Sequence, residues 1–402
     1  MIMLIVTLGG VMMLSMLIGI VATAFRNKVD DLRKGHSKVL EKNHTLIIRW
    51  SPKILTIISE LIIANENYKD QAIVVLGNKE RLEMEREIRS KINDFKTTRI
   101  ICRTGKALEM TDLARVNPDD ARSIIVISPE SDNPDTHVIK SVLALTNNPN
   151  RKKGKYHIVA EIKDEANIEA AKVVGGDEVT YVLSFDVVAK VTAQTCRQSG
   201  LSVVYEELLD FKGDEIYFQE EPKLIGKTFK DALFAYEDSA IIGLQYNDHN
   251  VSVNPPMDTV IKEGDKMIAV SLDDDTVIMS GKKDFPIQKE LIVHEKTLSP
   301  PMEKSLFLGW NEKGSRIIKE LDFYAQPGSK VLVVARYTYA EMEETIQKLN
   351  SKLENLTVQY RRGNITFRST HDDINVPDFD HIVLLSYTLG MDVQEADAQT
   401  LI

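Results

Sequence analysis

The chain has 402 residues, enough for two or three domains, and its 43% hydrophobic and 27% charged content is that of a globular protein with a sizeable core. A net charge of −10 excludes a nucleic-acid partner, because phosphate contacts need a basic face. Two cysteines, Cys102 and Cys196, lie far apart in sequence, which excludes a disulfide framework and metal-ligand spacing and suits a reducing compartment.

Residues 1–25 carry no charge. At ~1.5 Å per residue such a helix exceeds the ~30 Å hydrocarbon core of a bilayer, so the segment is expected to span a membrane. A secretory signal is the rival reading, and Ala22-Thr23-Ala24 mimics its cleavage site. No basic region precedes the apolar run, however, and the run is longer than a signal core. Residues 26–42 hold six basic and three acidic residues, which places everything beyond residue 25 in the cytosol. Asn43-His44-Thr45, formally a glycosylation acceptor, is then inert there. Ser15, Gly19 and Ala22 fall on one side of the helix. Such a small-residue stripe lets another helix approach closely or lines a pore. Lys28–Lys34 has helical propensity, and Gly35 is expected to end the helix, since glycine adopts φ > 0 freely.

The remainder alternates strand and helix signals. Strands are expected at Thr45–Ile48, Ala72–Leu76, Arg99–Cys102, Ser123–Ser128 and His157–Ile162. Helices are expected at Ile54–Ala64, Lys79–Ile92, Ala107–Arg115 and Asp135–Leu145. This is an α/β pattern, a parallel sheet with helices on both faces, as in Rossmann-like domains. Residues 201–280 read instead as short strands and turns, with strand candidates at Ile216–Phe218, Ile241–Leu244 and Met267–Val270. The first pattern then returns, with strands at Ser305–Trp310, Lys330–Ala335 and His381–Ser386 and helices at Gly314–Leu321 and Tyr339–Leu349. An apolar triplet, a Trp and a Lys recur at equal spacing around Trp50 and Trp310, which reads as an internal duplication 260 residues apart.

A glycine-rich turn after the first strand lets a backbone meet a pyrophosphate at a helix N-terminus. The first copy has Arg49-Trp50-Ser51-Pro52-Lys53-Ile54 there, so NAD is not expected in the first sheet. The second copy keeps Gly309 and Gly314 with Asn311 between them, a candidate nucleotide turn or simply a tight turn for helix–sheet packing. Neither second strand ends in the acid that would grip a ribose. No catalytic constellation is legible, so an enzyme is the minority reading. Acidic clusters at residues 206–221 and at Asp273–Asp275 are candidates for a regulatory Ca2+ or for a solvated surface; neither has the ligand spacing of an EF-hand loop.

Several motifs in order carry a resemblance: Lys28–Gly35, Asn43–Ser51, Ile101–Gly105, Ala121–Val126, Val174–Gly176, Glu263–Asp265 and Asp273–Thr276. The sequence resembles the CASTOR/POLLUX ion channels over essentially its whole length. The resemblance implies a homotetrameric cation channel, for potassium or calcium, gated by tandem RCK domains (regulators of conductance) related to TrkA. The expected organisation is a transmembrane inner helix at 1–25, a basic linker at 26–42, a first RCK domain at 43–200, a TrkA-C-like β-rich subdomain at 201–285 and a second RCK domain at 300–402. It also implies that a pore loop and selectivity filter belong ahead of residue 1, and that the helix through residues 395–402 continues; the chain then reads as a fragment. The family's usual glycine before the Trp is Arg49 here. The alternative function is a membrane-anchored TrkA-like subunit acting on a separate pore.

Overall fold

A computed structural model describes residues 2–33, 35, 37–282, 288–292, 301–387 and 400. The chain divides into two compact units, Met1–Asp186 and Val187–Ile402.

The first unit opens with α1 (Ile2–Arg33), continuous across Gly9 and Gly10. Side chains of α1 are described for residue 10 and residues 12–26, and the large apolar ones among them, such as Met12, Leu17 and Phe25, are exposed. Among the described residues no helix is long and apolar enough to cross a membrane. Six parallel strands follow: β1 (His44–Ile48), β2 (Ala72–Gly77), β3 (Arg99–Thr104), β4 (Ala121–Val126), β5 (Ile158–Ile162) and β6 (Val179–Leu183). Their order, β3-β2-β1-β4-β5-β6, is that of dinucleotide-binding doubly wound sheets. Every residue of β1 and β2 is buried, as expected for strands covered on both faces. One face is covered by α2 (Ile54–Ala64), which buries Ile54, Ile58 and Ile62 at helical spacing, and by α3 (Arg81–Lys91), which buries Met84 and Ile88. The other elements are α4 (Met110–Arg115), α5 (Pro134–Thr146) and α6 (Ile168–Gly175).

Two boundaries differ from the sequence expectation for local reasons. The helix expected from Ala107 starts at Met110, because the Asp112 carboxylate accepts from the Lys106 amide and holds that stretch as a turn. The strand expected at Ser123–Ser128 is shifted to Ala121–Val126. His44 pairs with Ala121 at a register break, and at the far end the Ser128 amide turns to the Glu161 carboxylate.

The second unit takes most of α7 (Ser184–Arg197), then α8 (Leu201–Leu209). Residues 201–209 are helical, although their sequence reads as turn and strand. An antiparallel sheet follows, with β7 (Glu215–Gln219), β8 (Ala240–Gln245), β9 (Val251–Val253) and β10 (Lys266–Ser271) in the order β7-β10-β8-β9. It packs around Phe229 of α9 (Phe229–Leu233), which is closed by a reciprocal cap between Thr228 and Asp231.

The last sheet holds β11 (Lys304–Leu308), β12 (Ser329–Ala335), β13 (Leu356–Arg362) and β14 (His381–Leu384), all parallel. Its order, β13-β12-β11-β14, repeats that of the first four strands of the first sheet. Its helices are α10 (Gly314–Asp322), α11 (Tyr339–Asn350) and α12 (Arg368–Ile374). The expected helix through residues 395–402 lies outside the described residues, except Thr400.

Candidate functional site at the linker and the two sheet crevices

The crevice of such a sheet opens where the strand order reverses, at the carboxyl ends of β1 and β4. Arg49 leaves β1 there with φ +82°, a conformation costly for any residue with a Cβ. Its guanidinium crosses to α5, the helix after β4. Nη2 donates to Ser141 Oγ at 2.8 Å and to His137 O at 2.9 Å, and Nε donates to Ser141 Oγ at 3.1 Å. Burial pushes this guanidinium below its usual pKa. Lys53, at the start of α2, pairs with Glu161 of β5, whose second oxygen accepts from the Ser128 amide at 3.1 Å. Side chains of the protein therefore bridge this crevice, from the end of β1 to α5 and β5.

The second copy is built alike. Gly309 has φ +87°, and a Cβ there would meet Leu385 O at 1.9 Å. A Cβ on Gly314 would meet the Trp310 ring at 2.8 Å. Asn311 is buried; its Nδ2 donates to Ser386 O at 2.8 Å, and its Oδ1 accepts from the Lys313 amide at 3.0 Å. The three residues meet at one turn, and protein atoms fill the space beside each. Tyr387, nearly fully buried, lies past β14 and accepts from the Arg336 amide at 3.2 Å; the Arg336 guanidinium lies 4.5 Å from its ring centroid.

The linker is the third element. The helix runs through Arg33, and Gly35 has φ +76°, packed so closely that a Cβ would meet Arg81 Cβ at 2.9 Å. From there the chain is fastened to the first sheet. Arg103 of β3 donates Nε to Ser37 O at 2.7 Å. Val39 is 1% exposed, packs in one core with Leu46, Leu113 and Val116, and donates its amide to Arg115 O at 2.7 Å. Glu41 pairs with Arg99 at 3.1 Å, and its carbonyl accepts from Asn117 Nδ2 at 3.0 Å. The Asn43 amide donates to Asp120 O at 2.7 Å. His44 is buried, which lowers its pKa, and its Nε2 lies 3.2 Å from Val116 O.

Ser15, Gly19 and Ala22 all lie on α1 and are exposed; Thr23 Oγ1 donates back to Gly19 O at 2.8 Å. Among the described residues only Asp273, Asp274 and Asp275 bring carboxylate oxygens within 4.8 Å of one another, and the Asp273 carboxylate is engaged as a cap by the Asp274 amide. Residues 206–221 make no such convergence. Sequence reasoning missed the linker clamp, although the apolar pair Val39-Leu40 in a basic stretch is a cue to it.

Residues 185–286 match the family described as Castor and Pollux, part of voltage-gated ion channel. Residues 41–153 match the calcium-activated potassium channel slowpoke-like RCK domain. The protein named Probable ion channel CASTOR, of Oryza sativa subsp. japonica, is 33% identical over 397 residues, 95% of this chain and 43% of that protein. Probable ion channel POLLUX, of Arabidopsis thaliana, is 32% identical over 405 residues, 98% of this chain and 48% of that protein. Over nearly its whole length the chain is similar to the CASTOR and POLLUX proteins. It spans less than half the length of these CASTOR and POLLUX relatives. Among solved structures, the human SLO3 gating ring shares its fold with a TM-score of 0.58 at 14% identity, over 89% of this chain and 69% of that one.

Proposed function

We propose that this chain is the gating part of a cation-channel subunit. Residues 1–25 form an inner membrane helix, and Ser15, Gly19 and Ala22 face a pore or a neighbouring helix. Residues 26–42 are the coupling linker. Residues 43–200 and 300–402 are the two RCK domains, on the cytosolic side, with the TrkA-C-like subdomain at 201–285 between them. Potassium or calcium is the permeant ion, and four chains surround the pore with closed symmetry, since one sensor on one helix acts on a pore only as part of a ring.

The observation that carries this reading is the linker. A sensor moves a gate only if its two states pull differently on the helix. Here a helix unbroken to Arg33 is joined through Gly35 to a segment buried in the sensor's core at Val39. That arrangement supports transmission, because the described residues between helix and sheet are fastened to the sheet at Ser37, Val39 and Asn43. The relatives named as ion channels support the same reading.

The test is insertion of a Gly/Ser run after Gly35 in a complete channel. Single-channel recordings should show unchanged conductance with loss of the gating response. An unchanged response would show that the sensors act through non-covalent contact instead.

A further inference from the structure

A cavity of about 490 Å3 opens at the free edge of the first sheet, between β3 and α3. Ile88, Phe95 and Ile100 give it an apolar wall. Arg89, Arg99 and Arg103 give it a cationic one, faced by Glu41 and Glu85. Both carboxylates already have cations of their own: Glu41 lies 3.1 Å from Arg99, and Glu85 lies 3.1 Å from Arg81 Nε. Arg103 spends Nε on Ser37 O and Nη1 on Cys102 O, and its second terminal nitrogen has no hydrogen-bond partner among the described residues. Arg89 lies 5.7 Å from the Phe95 ring centroid and has no carboxylate partner among the described residues. Thr98 lines this cavity, is 4% exposed, and its hydroxyl has no hydrogen-bond partner among the described residues. A buried hydroxyl left unpaired is costly, so such groups call for an explanation.

An unpaired buried hydroxyl, two cations with bonding capacity to spare and an adjoining apolar wall suit one kind of molecule. We propose that this cavity binds a small organic anion, a phosphate or carboxylate carried on an apolar or aromatic body. The anionic head meets Arg89 and Arg103, a rotation of Thr98 turns its enclosed hydroxyl to the head, and the body lies along Ile88, Phe95 and Ile100. Glu41, in the wall of the cavity, belongs to the linker, and Arg103 holds the linker at Ser37. Occupancy therefore stiffens residues 37–41. Binding stands on its own; its consequence for gating rests on the function proposed above.

The full chain would be titrated by calorimetry with 1-naphthyl phosphate and 1-naphthaleneacetate, which carry the two heads on one body, and with inorganic phosphate. Saturable one-site binding of at least one naphthyl anion is expected, at least tenfold tighter than inorganic phosphate. Arg89→Glu, at an exposed side chain that leaves the fold intact, should weaken it at least tenfold, and the near-isosteric Thr98→Val about threefold. Arg362→Glu, in the second unit, should leave it unchanged. Absence of saturable binding, or equal affinity in the Arg89→Glu protein, overturns the site. Hydrogen exchange at residues 37–43 should slow at least threefold on saturation; binding without slowing overturns the linker half of the proposal and leaves the gating reading to its own test.

Discussion

Arg49 and Gly309 occupy one position in two copies of the same turn. Their φ angles are +82° and +87°, and each donates its amide to the second strand of its sheet, at Leu76 O and Val334 O. The match continues across the crevice, where Ile127 donates to Ile48 O and Leu385 donates to Leu308 O. The backbone kept the shape that glycine makes easy, and in the first copy an arginine took it over.

Arg49 therefore contributes two opposed effects. A left-handed conformation costs a residue with a Cβ about 1–2 kcal/mol, while hydrogen bonds from a partly buried guanidinium contribute about 1.5–3 kcal/mol. Arg49→Gly loses the bonds and relieves the strain; Arg49→Ala loses the bonds and keeps it. The expected order of thermal midpoints is wild type, then Arg49→Gly, then Arg49→Ala, the last two about 1 kcal/mol apart. An alanine variant as stable as the glycine variant would rule out backbone strain at this turn.

Gly309→Ala combines the same strain with a Cβ 1.9 Å from the Leu385 carbonyl. We expect a loss of about 3 kcal/mol or more in the second unit, read as early melting of its tryptophan signal at Trp310. Gly19→Ala on α1, where a Cβ meets nothing within 4 Å, is the matched control and should leave that transition in place.

Val39→Ala tests the linker clamp. Removing two buried methyl groups should cost about 2 kcal/mol and speed hydrogen exchange at residues 37–43 while leaving the amides of β5 protected. Uniform speeding across the whole sheet would mean that Val39 supports the core generally and does not fasten the linker in particular.

The fourth prediction concerns acid. Glu178 accepts from the Arg151 guanidinium and from the Tyr156 amide, and the Arg151 hydrogen bonds, ahead of burial, hold its pKa below the ordinary 4.5. A carboxylate with a depressed folded-state pKa adds stability that is present above the unfolded value and lost as pH falls through the folded one. The first unit should therefore lose stability as pH drops below about 4.5, and Glu178→Gln should flatten part of that decline. Chemical denaturation midpoints from pH 6 to pH 3 would reveal it; parallel declines in both proteins would discount the pair.

The sheet architecture was legible because its central strands are continuous apolar runs and its helices keep strict spacing, as at Ile54, Ile58 and Ile62. Edge strands were harder to read. Leu356–Arg362 pairs on one side only and alternates Leu, Val and Tyr with polar residues, so its signal falls below that of β12. The helix at Leu201–Leu209 has apolar residues at helical spacing, Leu201, Val204, Tyr205 and Leu208, but it is short and follows Gly200, a turn signal, which masks it among the strand and turn signals beyond. A shared device escaped notice in both copies. Asn117 and Asn375, each at φ +53°, bend the chain just before the fourth strand of their sheets, with a proline one or two residues on. The linker clamp was hard to read because most of its bonds use backbone groups of residues 37–43, which leaves Val39 as its main side-chain cue.

The burial of Val39 also decides where this protein can be cut and rejoined. By the sequence pattern the sensor begins near residue 43, and a graft made there would seem clean. Such a hybrid would carry a foreign segment into the pocket among Leu46, Leu113 and Val116, with a side chain never selected to fit it. The workable seam lies on the helix side of Gly35, so the stretch that holds Ser37, Val39 and Glu41 travels with the first sheet, whatever helix stands ahead of it.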